Sequence, residues 1–243
     1  MAKLETGFGM SATHVPHYIG SDQSRNYYLP FPYIHYRSEK LNIDRNLIQT
    51  KLWGRGNLSL EISLGGSIPV DSEDNRARAG MDDLDFIIEA GPALHYYFLG
   101  DRTQDNALLV SLPVRAAVVT NFTYFSGQGV TLNPSLIWRR GYQLGEYQIK
   151  PQIVLTARHA NSGYHDYIYG VGESDVTAER VAYEGKTGYG GWSFGYSTIA
   201  RWQDKLLGFF VNYVNTEQSV FDDSPLYKQS ENLFIGVALA HIF

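Results

Sequence analysis

Apolar and polar residues alternate one by one along several long segments of the chain. In the segment 145–160, Ile153 and Leu155 fall on one face, whereas Lys150 and Gln152 fall on the other. Because successive side chains of a β-strand point to opposite faces, this alternation predicts strands with one apolar and one polar face. Helical periodicity is nearly absent, apart from a short polar piece at 174–181 that is predicted to be helical.

Eleven candidate strands can be recognised, and several exceed the ~5–6 residues common in soluble sheets. They lie at about residues 3–14, 28–37, 40–52, 57–68, 85–98, 105–121, 124–140, 145–160, 190–202, 205–217 and 231–243. Short turns near 99–104, 141–145 and 203–204 interleave with long polar loops at 69–84, 161–189 and 218–230. Short turns at one end and long loops at the other are typical of an outer-membrane β-barrel.

Composition excludes several other classes of protein. The chain has 243 residues without a cysteine, so neither disulfides nor thiolate metal sites are possible. A net charge of -5 argues against nucleic-acid binding. No stretch approaches the ~18 apolar residues of a transmembrane helix. No apolar signal segment follows Met1, so the chain is expected to be either cytoplasmic or the mature form of an exported protein, and the strand pattern favours the second. The sequence has no linker or internal repeat, so we expect one domain over residues 1–243.

A soluble β-sandwich or lipocalin-like barrel would also alternate, but two features favour a membrane barrel. Segments such as 105–121 exceed the ~9–11 residues that a tilted strand needs to cross a bilayer. Aromatic rings, which favour the membrane–water interface, flank the apolar runs. They are Tyr27, Tyr28, Tyr96, Tyr97, Phe98, Trp138 and Trp202. The predicted fold is therefore an all-β, transmembrane, antiparallel up-and-down barrel.

An odd number of strands conflicts with the even number of bacterial barrels. The segment 40–52 would be the false strand of a ten-stranded barrel, since Asp44-Arg45-Asn46 breaks its alternation. The segment 161–189 would hide the missing strand of a twelve-stranded barrel, at Tyr167-Ile168-Tyr169 or 180–183. Twelve strands is the preferred number. The last strand should close the barrel by pairing the region of Leu239 with that of Gly9.

Several phrases of the sequence, in order, resemble the MltA-interacting protein (MipA/OmpV) family of outer-membrane proteins. They are His17-Tyr18-Ile19-Gly20-Ser21-Asp22, Leu29-Pro30, Tyr36-Arg37, Asp71-Ser72-Glu73-Asp74-Asn75, Gly80-Met81-Asp82-Asp83-Leu84-Asp85, Glu89-Ala90-Gly91-Pro92, Tyr169-Gly170-Val171 and Asp223-Ser224-Pro225-Leu226. Two places depart from the family pattern: Tyr167-Ile168-Tyr169, and the final His241-Ile242-Phe243.

The resemblance implies a monomer in the bacterial outer membrane, in contact with its lipids and lipopolysaccharide. It also implies a non-enzymatic scaffold that links a periplasmic lytic transglycosylase to a penicillin-binding protein. The family supplies no catalytic residues, so none is assigned, and no cofactor or metal is expected. A narrow channel for small, anionic solutes is the first alternative, and an outer-membrane hydrolase is the second.

Charged residues on the polar face of the strands are the candidate lining of the barrel lumen. They are Glu61, Glu89, His95, Arg115, Arg139, Lys150, Arg158 and Arg201. Side chains fill the interior of a narrow barrel, and unpaired charges there are costly. We therefore expect these residues to form a paired network that plugs the lumen, although a selective channel or a ligand site is also consistent with the pattern.

Two further groups of residues were considered as sites. A hydrolase needs a nucleophile beside a base, and His159 with Ser162, or His165 with Asp166, are the nearest pairs in sequence. The loop 71–85 carries six carboxylates, and hard cations prefer several oxygen ligands. Its spacing is not that of a calcium loop, so a solvated acidic loop that bridges lipopolysaccharide through cations is at least as well supported.

Overall fold

The computed structural model describes residues 3–37, 41–44 and 47–243, and within them the strands form one antiparallel sheet. The strands are β1 (Lys3–Pro16), β2 (Ser24–Arg37), β3 (Leu41–Asp44), β4 (Leu47–Arg55), β5 (Leu58–Ser67), β6 (Phe86–Leu99), β7 (Ala107–Thr120), β8 (Ser126–Leu132), β9 (Ser135–Arg139), β10 (Tyr142–Leu144), β11 (Tyr147–Ala160), β12 (Gly188–Trp202), β13 (Lys205–Asn215) and β14 (Glu231–Ile242). The described helices are α1 (Ser162–Tyr169) and two 3-10 turns, Ser72–Asp74 and Glu173–Asp175.

The sheet closes on itself as a barrel. β14 pairs with β1, and Gly9 lies opposite Ala240 while Met10 lies opposite Leu239, which confirms the predicted closure. On the far side, β8 and β9 both join β7 to β11. Closure removes the open edge that an isolated sheet would expose.

Among the described residues, twelve strand positions follow one another around the barrel, which agrees with the predicted number. β8, β9 and β10 follow one another along the same side of β11 and so occupy one position. Pro134 separates β8 from β9, because its ring nitrogen cannot donate to a neighbouring strand.

The twelfth strand does not come from the segment 161–189, where a missed strand was expected. Residues 167–169 belong to α1, and Tyr183 contributes only an isolated bridge to Val171. Instead, the suspected false strand 40–52 divides into β3 and β4, which form a hairpin. Residues 40, 45 and 46 of that segment lie outside the described residues. The helix predicted at 174–181 is also wrong, since only a 3-10 turn begins there.

The two ends of the barrel differ. The turn end holds the chain termini and the short connections 56–57, 100–106, 145–146 and 203–204. The loop end holds the longer connections 17–23, 68–85, 161–187 and 216–230. No helix in the described part of the chain is long and apolar enough to cross a membrane.

The outer face of the barrel is apolar and exposed, whereas the inner face is mixed. Along β6 the exposed Ile88 and Leu94 alternate with the buried Ile87 and Glu89. Other exposed apolar side chains continue the outer band at Phe8, Met10, Leu112, Val114, Leu155, Phe194, Val237 and Leu239. Tyr97, expected among the flanking aromatic rings, instead points inward and is buried against Ala107 and Leu109.

Candidate functional site

The helix α1 closes the loop end of the barrel. Its N-terminus is capped by the side chain of Asn161, which accepts hydrogen bonds from the amides of Tyr164 and Val130. Side chains of α1 then pack on inward-facing residues of β6 and β7. This buried contact joins Tyr164, Tyr167 and Ile168 to Ile87, Ala117 and Val119. The connection 161–187 therefore folds back over the lumen and does not extend away from the barrel.

A small hydrophobic core holds the long loops together above the barrel. It contains Tyr18, Val70, Leu84, Tyr169 and Phe221, one or two from each of four connections. The rings of Tyr169 and Phe221 stack with their centroids 3.8 Å apart. The buried Tyr18 hydroxyl donates to the carbonyl of Leu226 at 2.7 Å, and burial raises the pKa of Tyr18 to about 12.

Two buried arginines bind the loops through backbone carbonyls. Arg78 donates to the carbonyls of Ile168 and Asp82, both at 3.0 Å. Arg180 donates to the carbonyl of Asp175 at 2.7 Å and to those of residues 77 and 79 at 3.1 Å. Because carbonyl oxygens satisfy these guanidinium groups, the cations are accommodated without a carboxylate beside them.

Glu89 is the most connected charge in the lumen. Its carboxylate accepts hydrogen bonds from Tyr164 Oη at 3.1 Å and Thr131 Oγ1 at 2.9 Å, and it lies 3.5 Å from Arg115 Nη1. Arg115 also donates to Ser63 Oγ at 2.7 and 2.9 Å. Since Tyr164 belongs to α1 and the others to the wall, this cluster attaches the helix to the barrel.

Two further ion pairs and a close contact between a carboxylate and a histidine lie in the half of the lumen nearer the turn end. Glu61 Oε1 lies 3.6 Å from His95 Nδ1 and accepts from Ser59 Oγ at 2.9 Å. Arg201 pairs with Glu5 at 2.7 Å, and Lys150 pairs with Asp105 at 2.8 Å. Glu61 and His95 lie on the neighbouring strands β5 and β6, and Lys150 of β11 contacts the turn that holds Asp105. Arg201 of β12 reaches Glu5 of β1, although β13 and β14 lie between these strands in the sheet, so the charges contribute to the filling of the barrel.

Two cavities remain inside the barrel. The larger, of about 900 Å³, lies beneath the loops and is largely apolar. The smaller, of about 430 Å³, is polar and includes Glu61, Arg115 and Gln152 in its lining. Glu89 and Arg158 border both cavities and therefore lie at the boundary between the apolar and the polar cavity.

A family model described as MltA-interacting protein MipA matches residues 8–243 of the chain. The chain belongs to the MipA family. The match extends from β1 to the C-terminus and thus includes the whole of the closed sheet apart from the first residues of β1. A comparison with curated protein sequences gives no match.

The eight predicted lumen residues of this MipA family member occupy inward-facing positions, but they do not form one network. Only two pairs join predicted residues to each other, Glu61 with His95 and Glu89 with Arg115. Arg139 instead donates to the carbonyl oxygens of residues 101 and 102, at 2.7 and 3.3 Å. Whether these residues line a functional site stays a prediction.

Two acidic partners in the lumen were missed by the sequence reasoning. Glu5, which pairs with Arg201, is inward-facing near the start of β1, in register with Gly7 and Gly9. Extending the alternation of β1 back to residue 5 would have indicated it. Asp105, the partner of Lys150, belongs to a turn, where alternation gives no signal.

The histidines considered for a hydrolase occupy structural positions in the MipA family chain. His165 is buried beside Phe221, and its Nδ1 lies 2.7 Å from the carbonyl of Lys186. Burial lowers the pKa of His165 below its ordinary value of 6.5. Among the described residues, no hydrogen bond joins His159 or His165 to Ser162 or Asp166. A nucleophile beside a base is therefore not assembled at either pair.

The carboxylates of the acidic loop 71–85 are engaged in local structure. Asp71 caps the 3-10 turn that follows it, and Asp83 accepts from the amide of Ser72 at 2.7 Å. Asp74 pairs with Arg25 at 3.1 Å. Within residues 3–37, 41–44 and 47–243, no three or more histidine or acidic side chains come together as a metal site. The loop is therefore ordered by hydrogen bonds and an ion pair.

Proposed function

We propose that this MipA family member is a non-enzymatic scaffold in the bacterial outer membrane, where it binds peptidoglycan-remodelling enzymes from the periplasmic side. The name of the family describes an interaction with MltA. The partner classes proposed for this chain are a lytic transglycosylase and a penicillin-binding protein. Its turn end would face the periplasm and its loop end the exterior.

Placement in a membrane is supported by the outer surface of the barrel. Strands such as β6 and β7 have 14 residues each, which exceeds the ~9–11 that a tilted strand needs to cross the hydrocarbon core. Exposed apolar side chains form a continuous outer band, which would be unfavourable in water but is favourable in lipid. Tyr147 and Trp202 lie together near the turn end, where an interfacial aromatic pair is expected.

The observation that carries the scaffold proposal is a lumen that is covered at the loop end and crossed by ion pairs, which leave separate cavities and no open pore between the described residues. The helix α1 covers the loop end, and ion pairs occupy the interior below it. A barrel filled in this way is suited to presenting a rigid surface, whereas an open pore requires a continuous path for solute.

The turn end supplies an ordered surface for a partner. Asp101 Oδ1 accepts hydrogen bonds from the amide and hydroxyl of Thr103 at 2.7 and 2.6 Å. Asn106 accepts from the amide of Gly141 at 3.0 Å, which joins two neighbouring turns. Because hydrogen bonds already order these turns, binding of a partner would carry only a small entropic cost for ordering them.

Binding to purified enzymes tests the proposal. The full chain in detergent is immobilised, and a lytic transglycosylase and a penicillin-binding protein from the same bacterium are titrated separately. Arg140→Glu changes an exposed charge at the turn end and should weaken binding about tenfold or more. Glu173→Arg, an exposed charge reversal at the loop end, is the matched control and should have no effect. Absence of binding by both enzymes would contradict the scaffold role.

A narrow channel for small anions is the second candidate, supported by the charge of the lumen. Among the inward-facing predicted residues and their partners, five cations, Arg115, Arg139, Lys150, Arg158 and Arg201, outnumber the four carboxylates Glu5, Glu61, Glu89 and Asp105. A positive excess favours anions over cations in a confined path.

A further inference from the structure

Among the described residues, the facing edges of β2 and β5 are unpaired over most of their length, which leaves a gap in the wall of the barrel. On one side of β2, residues 24–37 pair with β1 throughout. On the other side, among the described residues, only Tyr36 and Arg37 pair with β3. Residues 62–67 of β5 likewise pair with β6 alone. The short β3–β4 hairpin therefore closes the wall near the turn end and leaves it open towards the loop end.

Two prolines account for the unpaired edge of β2. The amide of His17 donates to the carbonyl of Gln23 at 2.9 Å, so odd-numbered residues of β2 direct their backbone groups towards β1. Even-numbered residues direct theirs towards the gap, and Pro30 and Pro32 are among them. Because proline has no amide hydrogen, a strand in the gap would lack two donors from β2.

The larger cavity reaches both sides of this gap. Leu29 of β2 and Gly66 of β5 border the cavity, and so does Ile68 just beyond β5. Leu29 points inward and borders the cavity, yet it is 53% exposed. The cavity, of about 900 Å³, is within the ~300–1,000 Å³ of small-molecule sites. Its apolar lining includes Val15, Ile19, Leu29, Ile68, Phe86 and Phe234.

At its inner limit the cavity meets the guanidinium group of Arg158. This side chain borders both the apolar and the polar cavity. In the part of the chain that the structure describes, no hydrogen bond or ion pair joins it to another side chain, whereas Arg115 and Arg201 each have a carboxylate partner. An uncompensated cation beside an apolar cavity favours a ligand with an anionic group at one end of an apolar chain.

We propose that the larger cavity binds a single-chain anionic amphiphile, with its acyl chain among the apolar side chains and its head group on Arg158. A fatty carboxylate and a lysophospholipid phosphate share this chemistry. The gap between β2 and β5 gives the chain lateral access. This access route rests on the proposed membrane placement, but binding in the cavity does not.

Binding of radiolabelled palmitate tests this site. The full chain is placed in nanodiscs of zwitterionic phosphatidylcholine, and binding is measured in excess of empty nanodiscs. Palmitate should bind at least about tenfold more tightly than its methyl ester, which has the same chain but no charge. Arg158→Gln should remove that preference, whereas Arg55→Gln, at an exposed turn, should retain it. Palmitoyl-lysophosphatidate, used in a parallel titration, distinguishes a phospholipid source from a free fatty acid.

A second variant keeps the test valid if Arg158→Gln fails to fold. Val15→Trp fills the cavity and leaves Arg158 in place, so it should abolish binding of both palmitate and the methyl ester. Val114→Trp, on the exposed outer face, is the control. Tighter binding of either anionic probe that depends on Arg158 supports the proposal. Equal binding of acid and ester, or unchanged binding in Arg158→Gln and Val15→Trp, would overturn it without affecting the scaffold proposal.

Discussion

The hydroxyl of Tyr164 lies 3.1 Å from the Glu89 carboxylate, and this contact joins the loop helix to the barrel wall. Glu89 is buried and also accepts from Thr131. The hydrogen bond therefore connects two parts of the chain that are separated by 75 residues.

Removing this hydroxyl should destabilise the protein. In Tyr164→Phe, Glu89 keeps Thr131 and Arg115 as partners but loses one donor, so we expect a loss of about 1–2 kcal/mol in the free energy of unfolding. Urea unfolding in detergent, followed by tryptophan fluorescence, measures it. Tyr147→Phe, which alters an exposed ring at the turn end, should change stability by less than about 0.5 kcal/mol. Equal losses in the two variants would show that the contact with Glu89 contributes nothing specific.

Side chains of β11 point alternately outward and inward, so two adjacent positions should differ in the substitutions that they tolerate. Ile153 has Trp138 and Tyr196 as its outward cross-strand neighbours, whereas Gln152 borders the polar cavity. If Ile153→Arg lies at the middle of the membrane, it should cost roughly 2–4 kcal/mol, while Gln152→Asn should be tolerated. Unfolding from lipid vesicles measures both. Similar costs for the two changes would refute the proposed lipid-facing side.

The closure of β1 against β14 can be tested by crosslinking, because the chain has no cysteine of its own. Ser11 lies opposite Ala238. Since the amide of Phe243 donates to the carbonyl of Thr6, Ser11 belongs to the non-hydrogen-bonded positions, where Cα atoms are about 4.5 Å apart. That separation suits a disulfide. Oxidation should therefore link Ser11→Cys to Ala238→Cys, as measured by loss of thiol labelling. The pair Ser11→Cys and Ala240→Cys, two residues out of register, should crosslink much less.

Planar-bilayer conductance tests the filled lumen. We expect no large, stable open state, because α1 and the ion pairs occupy the interior. Replacing residues 162–186 by a short Gly/Ser linker should permit a small conductance that prefers anions, given the positive excess of the lumen. A large cation-selective channel in the unmodified protein would contradict both the occlusion of the lumen and its excess of positive charge.

The stability of the loop end should decrease on acidification through His165. Burial lowers the pKa of His165, and Arg158 and His159 lower it further, although the bond to the carbonyl of Lys186 opposes them. The unfolded chain, with its pKa near 6.5, therefore binds a proton that the folded chain does not. The contribution of His165 to stability is therefore fully present above pH ~6.5. It decreases as the pH falls from there to the folded pKa, and it is constant below that pKa.

Hydrogen exchange of the amides in 161–187 at pH 7.5 and 5.5 measures this effect. His165→Asn keeps a donor for the Lys186 carbonyl but cannot titrate, so its exchange should depend less on pH. His241→Asn, at the turn end, should leave the pH dependence of the loop unchanged. Identical pH dependence in the wild type and His165→Asn would assign the effect to other groups.

The strands could be predicted from the sequence because each has one face in contact with a polar interior and one apolar face. Polar and apolar residues therefore alternate along each strand. Alternation also led to the closure of Leu239 against Met10. The sequence predicts one broken strand where β3 and β4 form a hairpin, because β3 has only four residues, too few for its alternation to stand out as a separate strand.

The loop end could not be predicted because its order depends on contacts between distant segments. Tyr169 stacks on Phe221, 52 positions away, and neither lies in an alternating segment. The same limit applies to the candidate ligand site. The alternation predicts that Arg158 faces inward, but its lack of a side-chain partner within residues 3–37, 41–44 and 47–243 depends on where the fold places Glu89 and Tyr164.

The packed core of the loops limits how far the outward surface of this protein can vary during evolution. Loops normally tolerate insertion because their backbone is solvated, but here Tyr169 donates to the carbonyl of Ile19, and Ser224 donates to that of Tyr169. A change of length in one connection would therefore displace the others. Sequence variation at the loop end would be confined to exposed side chains such as Glu173 and Val181, with the backbone beneath them unchanged.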